Sequence, residues 1–367
     1  MIADLLESSN KTESLANLLR KQIDQGVYLN GVLPREMDIS RNFKVSRVTV
    51  RRALDILEND GLIDRVKRKG TLIKGAPGSI GFSNIIGVIM PNQEHYYMPL
   101  RASVEQALET RELFSVSVAP CEKKPPPTEY CRRIQSLLTS PIAGIIYHGH
   151  GYFRYPYLNN ECSIPSVALE CFDAEGEPPG GGVFVDFSRV IELALEHFAG
   201  LGRKRICCLI NKPAQLIDAS ESHIRNHPVG QFRKGFIRTV KRLKLERLVE
   251  WHDIRGNDAS KHIDFYRGIL ARKDHPTAIF CETDHLCIQL MNIARELGLR
   301  VPEDVAFIGM RNTPWCVEND IKISSVCLNT DEMAEKAVAM LSGEIPMGVK
   351  TIKPSLIVRE SCGAEHK

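Results

Sequence analysis

The sequence predicts an α/β fold class: an N-terminal winged helix-turn-helix, then a larger two-lobed domain built on parallel sheets. Three observations lead there. Apolar side chains recur at helical spacing in three short blocks before residue 60. Two strand-like runs around a basic tip follow, over residues 62–73. From residue 85 onward, short apolar runs alternate with helical stretches, the pattern of parallel strands covered by helices on both faces.

A chain of 367 residues has room for two or three domains. Its hydrophobic fraction of 43% is ordinary for a globular protein, so a sizeable core is available. The formal net charge is +3, so any nucleic-acid surface has to be local. The opening run MIADLLESSNKTESL lacks the apolar stretch of a signal peptide, and no later run is long and apolar enough for a membrane span. A cytoplasmic protein with no membrane partner is expected. The 11 cysteines include no C-x-x-C pair, and several lie in strand-like runs such as RICCLI and TAIFC, which reads as reduced buried thiols.

The first element is an amphipathic helix from about Thr12 to Gln25, with Leu15, Leu18, Leu19 and Ile23 on its core face. PREMDISRNF reads as a shorter helix, with Pro34 near its start and Ile39 and Phe43 on one side. Only Lys44 and Val45 separate it from the next helix, over 46–59, where Val50, Ala53, Leu54 and Leu57 fall at i, i+3, i+4 and i+7. Ser46 is placed to cap that helix, Val45 and Val50 to form a hydrophobic staple, and Asn59-Asp60-Gly61 to stop it. Two short helices with so tight a turn suggest a helix-turn-helix. LIDRV and TLI then flank KRKG as a two-stranded hairpin, or wing, with a basic tip.

Residues 44–74 carry nine Lys or Arg against four Asp or Glu, so the local charge is 9 − 4 = +5. Such a surface attracts phosphates in a salt-sensitive way. Arg47 and Arg51 lie four apart on one flank near the start of the second helix, where a helix entering the major groove reads bases. Val48 projects away from the core face, apt for a thymine methyl. Lys67, Arg68 and Lys69 at the wing tip are suited to phosphate.

The run LPREMDISRNFKVSRVTVRRALDILENDGLI and the closing KGT resemble the winged helix-turn-helix of GntR-type transcription regulators over residues 12–73. The resemblance implies that Arg47 and Arg51 read bases and that Thr49 and the wing around Gly70 contact DNA. Arg35 and Ser46 join the candidate DNA-binding set. Two positions depart from the family pattern: Lys44 replaces a common turn glycine, and Met37 stands where arginine is frequent.

Residues 75–84 have the composition of a linker, separating a DNA-binding domain over 1–74 from a two-lobed domain over 85–367 that would bind effector and dimerise. Their glycines precede a strand and are interrupted by Pro77, unlike a dinucleotide loop. In the large domain IIGVIM, AGIIYH, RICCLI, TAIFC and DVAFIGM read as buried strands, and residues 98–111, 186–201, 230–243, 284–297 and 330–341 as helices. In such folds ligands bind in a crevice at the carboxyl ends of the strands.

NIIGVIMPNQEHYYMPLRASVEQALE, IPSVALE, LALEHFAGLGRKRICCL, ELGLRVPEDVAFIGM and PSLIVRES resemble the effector-binding domain of LacI/GalR regulators, itself similar to periplasmic sugar-binding proteins. The resemblance spans residues 84 to about 362. It implies that Asp284 and Glu170, acids at strand ends, hydrogen-bond an effector, and that Tyr96 and Tyr97 line the cleft. Capping of the helix over 285–297 is the other reading of Asp284, a solvated loop that of Glu170, and packing that of the tyrosines. Phe232 occupies a position where the family often has arginine, with Arg233 one residue late. Arg311 replaces the family's aspartate. A pocket with those exchanges suits an acidic sugar or unusual glycoside, or has lost ligand binding.

His148 and His150, and Cys281 and His285, lack standard metal-ligand spacing, so no metal or cofactor is expected. No catalytic triad stands out. The resulting expectation is a ligand-responsive transcription regulator, a repressor of sugar-metabolism genes and not an enzyme, acting as a homodimer on double-stranded operator DNA. An α/β sugar-acting enzyme with a DNA-binding arm, or a constitutive DNA-binding protein with a dead pocket, are the alternatives. Under the leading reading a small polar ligand, a sugar, closes the cleft. Asp284→Ala then leaves operator affinity intact and abolishes the ligand response.

Overall fold

The computed structural model describes residues 11–24, 28, 32–66, 70–74, 84–91, 94–119, 128–149, 158, 164–172, 178–212, 227–255 and 262–364. The linker stretch 75–83 and the wing tip 67–69 lie outside them.

Three helices open the chain: α1 (Lys11–Asp24), α2 (Glu36–Phe43) and α3 (Arg47–Asn59). Their 3.6-residue periodicity brings Leu15, Leu19, Ile39, Val50, Leu54 and Leu57 into one buried core. Ser46 caps α3, its Oγ accepting from the Thr49 N–H at 3.1 Å. Lys44, where glycine would be easy, sits between α2 and α3 at φ 51°, a left-handed conformation that closes the tight turn. The wing pairs β2 (Ile63–Val66) with β3 (Gly70–Ile73) antiparallel. The other edge of β3 is paired with β1 (Val32–Leu33), a two-residue strand too short to carry a periodic signal.

Downstream the chain runs β4 (Ile85–Ile89), α4 (Glu94–Glu109), β5 (Phe114–Val118), α5 (Thr128–Thr139), β6 (Gly144–His148), β7 (Ser166–Glu170), β8 (Gly181–Val185) and α6 (Phe187–Gly200). It continues through β9 (Ile206–Lys212), α7 (Pro228–Leu243), β10 (Val249–Arg255), α8 (Ile263–Leu270), β11 (Ala278–Cys281), α9 (Asp284–Glu296) and β12 (Ala306–Met310). It ends with α10 (Trp315–Glu318), β13 (Ser324–Cys327), α11 (Thr330–Leu341), β14 (Val349–Ile352) and β15 (Ser355–Ile357).

These strands form two six-stranded sheets, one per lobe, in the orders β14-β8-β7-β6-β4-β5 and β10-β9-β11-β12-β13-β15. Every pairing in them is parallel except β15 against β13. The chain passes between the sheets after β8, after β13 and after β14, which hinges the lobes on three connections. Because strand side chains alternate, each sheet feeds two cores. Ile86 and Val88 face the large core shared by the lobes, whereas Ile89 faces the opposite side of the first sheet. Likewise Cys208 joins the shared core and its neighbour Cys207 the outer core of the second sheet. Gly235 lets α7 pass close to α6: a Cβ there would lie 2.2 Å from the Ser188 carbonyl oxygen. Among the described residues no helix is long and apolar enough to cross a membrane.

Candidate DNA interface and interlobe site

The core face of α3 leaves Arg47, Val48, Arg51 and Arg52 exposed, with no acid in the helix's first turn. Val48 is 60% exposed, a large fraction for a valine on an otherwise packed helix. Arg51 Nε donates to Glu36 Oε2 of α2 at 2.8 Å. Both partners are solvated, so this pair is weak and readily exchanged for another acceptor. Thr49 Oγ1 lies 2.8 Å from Ser46 Oγ, so both predicted contact residues first serve the helix cap. Arg35 is exposed at the N-cap of α2, and Gly70 opens β3 at φ 95°. Lys67, Arg68 and Lys69 lie outside the described residues. Arg65, a wing cation, is engaged inward: it pairs with Asp55 and Glu58 of α3 and fixes the hairpin against that helix. The result is a short helix with two arginines and an apolar side chain on its outward flank, held rigidly beside a hairpin.

The second site lies where β6, β7, β11 and β12 end. Arg311, just past β12 in one lobe, forks onto Glu170, the last residue of β7 in the other. Arg311 Nη2 donates to Glu170 Oε1 at 2.6 Å and Nη1 to Oε2 at 3.1 Å. Both residues are almost wholly buried. His148, the last residue of β6, places Nε2 3.5 Å from Glu170 Oε2. Its ring meets Tyr97 of α4 edge-on, centroids 4.6 Å apart, and the Arg311 guanidinium lies 5.5 Å from the Tyr97 centroid, within cation–π range. Burial alone would push the Glu170 carboxyl up, but the adjacent Arg311 and His148 outweigh it and hold it well below the usual carboxylate range. Glu282, buried just past β11, accepts from the Asn211 N–H. Burial pushes its carboxyl up to about 7, with the Asn211 donor and Arg311 offsetting only part of the effect.

The backbone is unusual here. Glu170 has φ 72°, Arg311 φ 98° and Asn312 φ 52°, all in the region that disfavours L side chains. Non-glycine residues persist there only where their surroundings over-determine them.

The structure therefore joins Tyr97, Glu170 and Arg311 of the predicted effector residues, and adds His148 and Glu282. It places Asp284 elsewhere. Asp284 Oδ2 accepts from the Thr313 N–H at 2.8 Å and Thr313 Oγ1 at 2.9 Å, and Oδ1 accepts from Ser325 Oγ at 2.6 Å, all within one lobe. Gly309 makes room for it: a Cβ there would lie 2.3 Å from Asp284 Oδ1. The cap of α9 is Thr283, whose Oγ1 accepts from the Leu286 N–H at 3.1 Å. Asp284 is thus a brace for the loop after β12. Arg233 is exposed on the outer face of α7. The helix turns about 100° per residue, so with Phe232 packed edge-on between Phe187 and Phe280 its successor points away from the core. The Tyr96 side chain lies outside what the structure describes. Sequence reasoning missed Glu282; the available signal was an acid directly after the strand AIFC.

Among the described residues, Cys207, Glu250 and His252 have metal-ligand chemistry and lie close together. However, Arg272 Nη2 already reaches both Glu250 oxygens, at 3.1 and 3.0 Å, and supplies the counter-charge a cation would bring.

Residues 11–73 match bacterial regulatory proteins of the gntR family, and residues 195–362 match the periplasmic binding protein-like domain. The chain is 25% identical over 346 residues to the arabinose metabolism transcriptional repressor of Geobacillus stearothermophilus, covering 90% of this chain and 91% of that protein. Among solved structures, the transcriptional regulator CelR–cellobiose complex superposes with a TM-score of 0.58 at 18% identity, over 95% of this chain and 98% of that one. The lac repressor dimer bound to operator and the anti-inducer ONPF superposes with a TM-score of 0.59 at 16% identity, over 77% and 96%.

Proposed function

Because the chain joins a gntR-family DNA-binding domain to a periplasmic binding protein-like domain in a transcription regulator, we propose that it represses genes of sugar metabolism. In this reading residues 1–74 bind operator DNA, 75–84 link, and 85–367 take the effector and dimerise. The observation that carries the DNA-binding half is the outward flank of α3, with Arg47, Val48 and Arg51 exposed beside a capped N-terminus. Arg47→Ala and Arg51→Ala are each expected to weaken specific operator binding by roughly 1–3 kcal/mol and relax base preference. Gel shifts over matched and mismatched sites check this. Loss that is uniform across all sequences would demote these arginines to phosphate contacts.

Support for the effector half is the strand-end cluster of Tyr97, His148, Glu170, Glu282 and Arg311. A sugar offers adjacent hydroxyls to carboxylates and guanidinium, each charge-assisted bond contributing about 1.5–3 kcal/mol, and a flat face to Tyr97. Thermal shift of the whole protein against a panel of neutral and acidic sugars tests it. No stabilisation by any member, with operator binding intact, would favour a regulator without an effector.

A two-fold operator needs a two-fold protein. The surface that fits is β5, an edge strand whose Phe114 and Val116 are 68% and 44% exposed. An apolar edge of this kind is one that a monomer would ordinarily protect. Phe114→Glu is expected to convert a dimer to a monomer by light scattering at micromolar concentration. A variant that stays dimeric would move the interface elsewhere.

A further inference from the structure

The pair of Glu170 and Arg311 differs from an ordinary buried salt bridge in three respects. It joins side chains from the two sheets, so breaking it separates lobes as well as charges. Both residues hold left-handed backbone, φ 72° and 98°, which aims each charge across the gap. Each end is also braced within its own lobe. On one side the Arg311 N–H donates to the Val326 carbonyl at 2.9 Å, the Asn312 N–H to Ser325 Oγ at 2.9 Å, and Arg359 Nη2 to Asn312 Oδ1 at 2.7 Å. Asp284 holds Thr313 next to them. On the other side the Cys171 and Gly149 N–H groups both donate to the Leu169 carbonyl, at 2.9 and 3.1 Å. Among the described residues, His148 and Tyr97 from the lobe of Glu170 and Glu282 from the lobe of Arg311 also face the pair.

We propose that Glu170 and Arg311 form an interlobe latch: the closed arrangement of the lobes is held by the protein's own side chains, and a ligand entering the cleft has to take over one of the two groups. The physical ground is the asymmetry of buried charge. A paired carboxylate and guanidinium are stable together, whereas either one left alone in the cleft is strongly disfavoured. Opening the lobes therefore requires water or a ligand to replace the lost partner. A ligand that hydrogen-bonds Arg311 releases Glu170, and one that takes Glu170 releases Arg311. Closure is then a property of the apoprotein that a ligand modifies.

The test uses the full chain carrying Glu170→Gln or Arg311→Met, with circular dichroism to verify the fold. Hydrogen exchange is followed at the Gly149 and Cys171 amides in one lobe and the Asn312 and Thr313 amides in the other, and the radius of gyration by X-ray scattering. A latch predicts that either substitution speeds exchange at both sets of amides by about tenfold or more and enlarges the particle. Glu170→Gln, nearly isosteric, keeps the test decisive if Arg311→Met fails to fold. If each substitution loosens only its own lobe, or the radius stays at the wild-type value, the pair is a local brace and the latch is wrong. Sugar binding is read separately by calorimetry, so a cleft that binds no sugar would overturn the effector reading and leave the latch standing.

Discussion

Asp284→Ala is expected to lower the stability of the protein by about 3–5 kcal/mol. The carboxylate is 1% exposed and accepts three hydrogen bonds, from the Thr313 N–H, Thr313 Oγ1 and Ser325 Oγ. Truncation strands those donors in a dry site and leaves a hole against Gly309. Burial pushes the Asp284 carboxyl up, and the Ser325 and Thr313 donors offset only part of that. Its role is to position: it braces Thr313, two residues from Arg311, so the loop that aims Arg311 loosens with it. The sequence-level expectation of a folded protein that binds operator normally and ignores ligand is therefore replaced by a broad loss of stability. Urea melts of wild type, Asp284→Ala and Asp284→Asn check this, the asparagine variant losing less because its amide oxygen still accepts. An alanine variant with a wild-type midpoint would return Asp284 to the list of ligand contacts.

The second large effect is in pH. Burial pushes Glu282 up to about 7 from an ordinary 4.5. Between those values the folded protein holds a proton that the unfolded chain has released. Folding stability therefore falls as pH rises through this window, by about 3 kcal/mol if Glu282 acts alone. Glu170 acts with the opposite sign. Its carboxyl is held well below the usual range, so its contribution is present above the ordinary carboxylate value and lost as pH falls below it. Glu282→Gln should flatten the decline between pH 5 and pH 8 without touching the acid limb. Urea midpoints at several pH values for wild type and variant measure it. Parallel curves would mean that Glu282 is hydrated in solution and that the decline has another source.

Much of this molecule was legible in one dimension because it depends on neighbours in the chain. The helix spacing of Val50, Ala53, Leu54 and Leu57, the cap at Ser46, the stop at Gly61 and the two-stranded wing are all local devices, and the structure repeats them. The buried runs IIGVI, GIIYH and AIFC stood out for the same reason: parallel strands covered on both faces are apolar throughout. Other elements escaped. β5 is mostly exposed, so its alternation of Phe114 and Val116 with serines is not underlined by burial. α5 has its apolar face at Tyr130, Ile134 and Leu137, but it begins beside a proline-rich stretch that masks its start. α4 begins at Glu94 and carries Pro99 inside it, ahead of the expected start at 98. What the chain by itself determined, then, was the fold class, the head and the face of α3, because hydrophobic period and capping act within a few residues. Only the tertiary structure decided which strand-end acids matter. Glu170, Glu282 and Asp284 look alike in sequence, each a carboxylate at or just past a buried strand. One forks across the lobes to Arg311, one is buried against a backbone N–H, and one turns inward to Thr313 and Ser325. That difference comes from partners as much as 141 residues away, and local pattern carries no information about them.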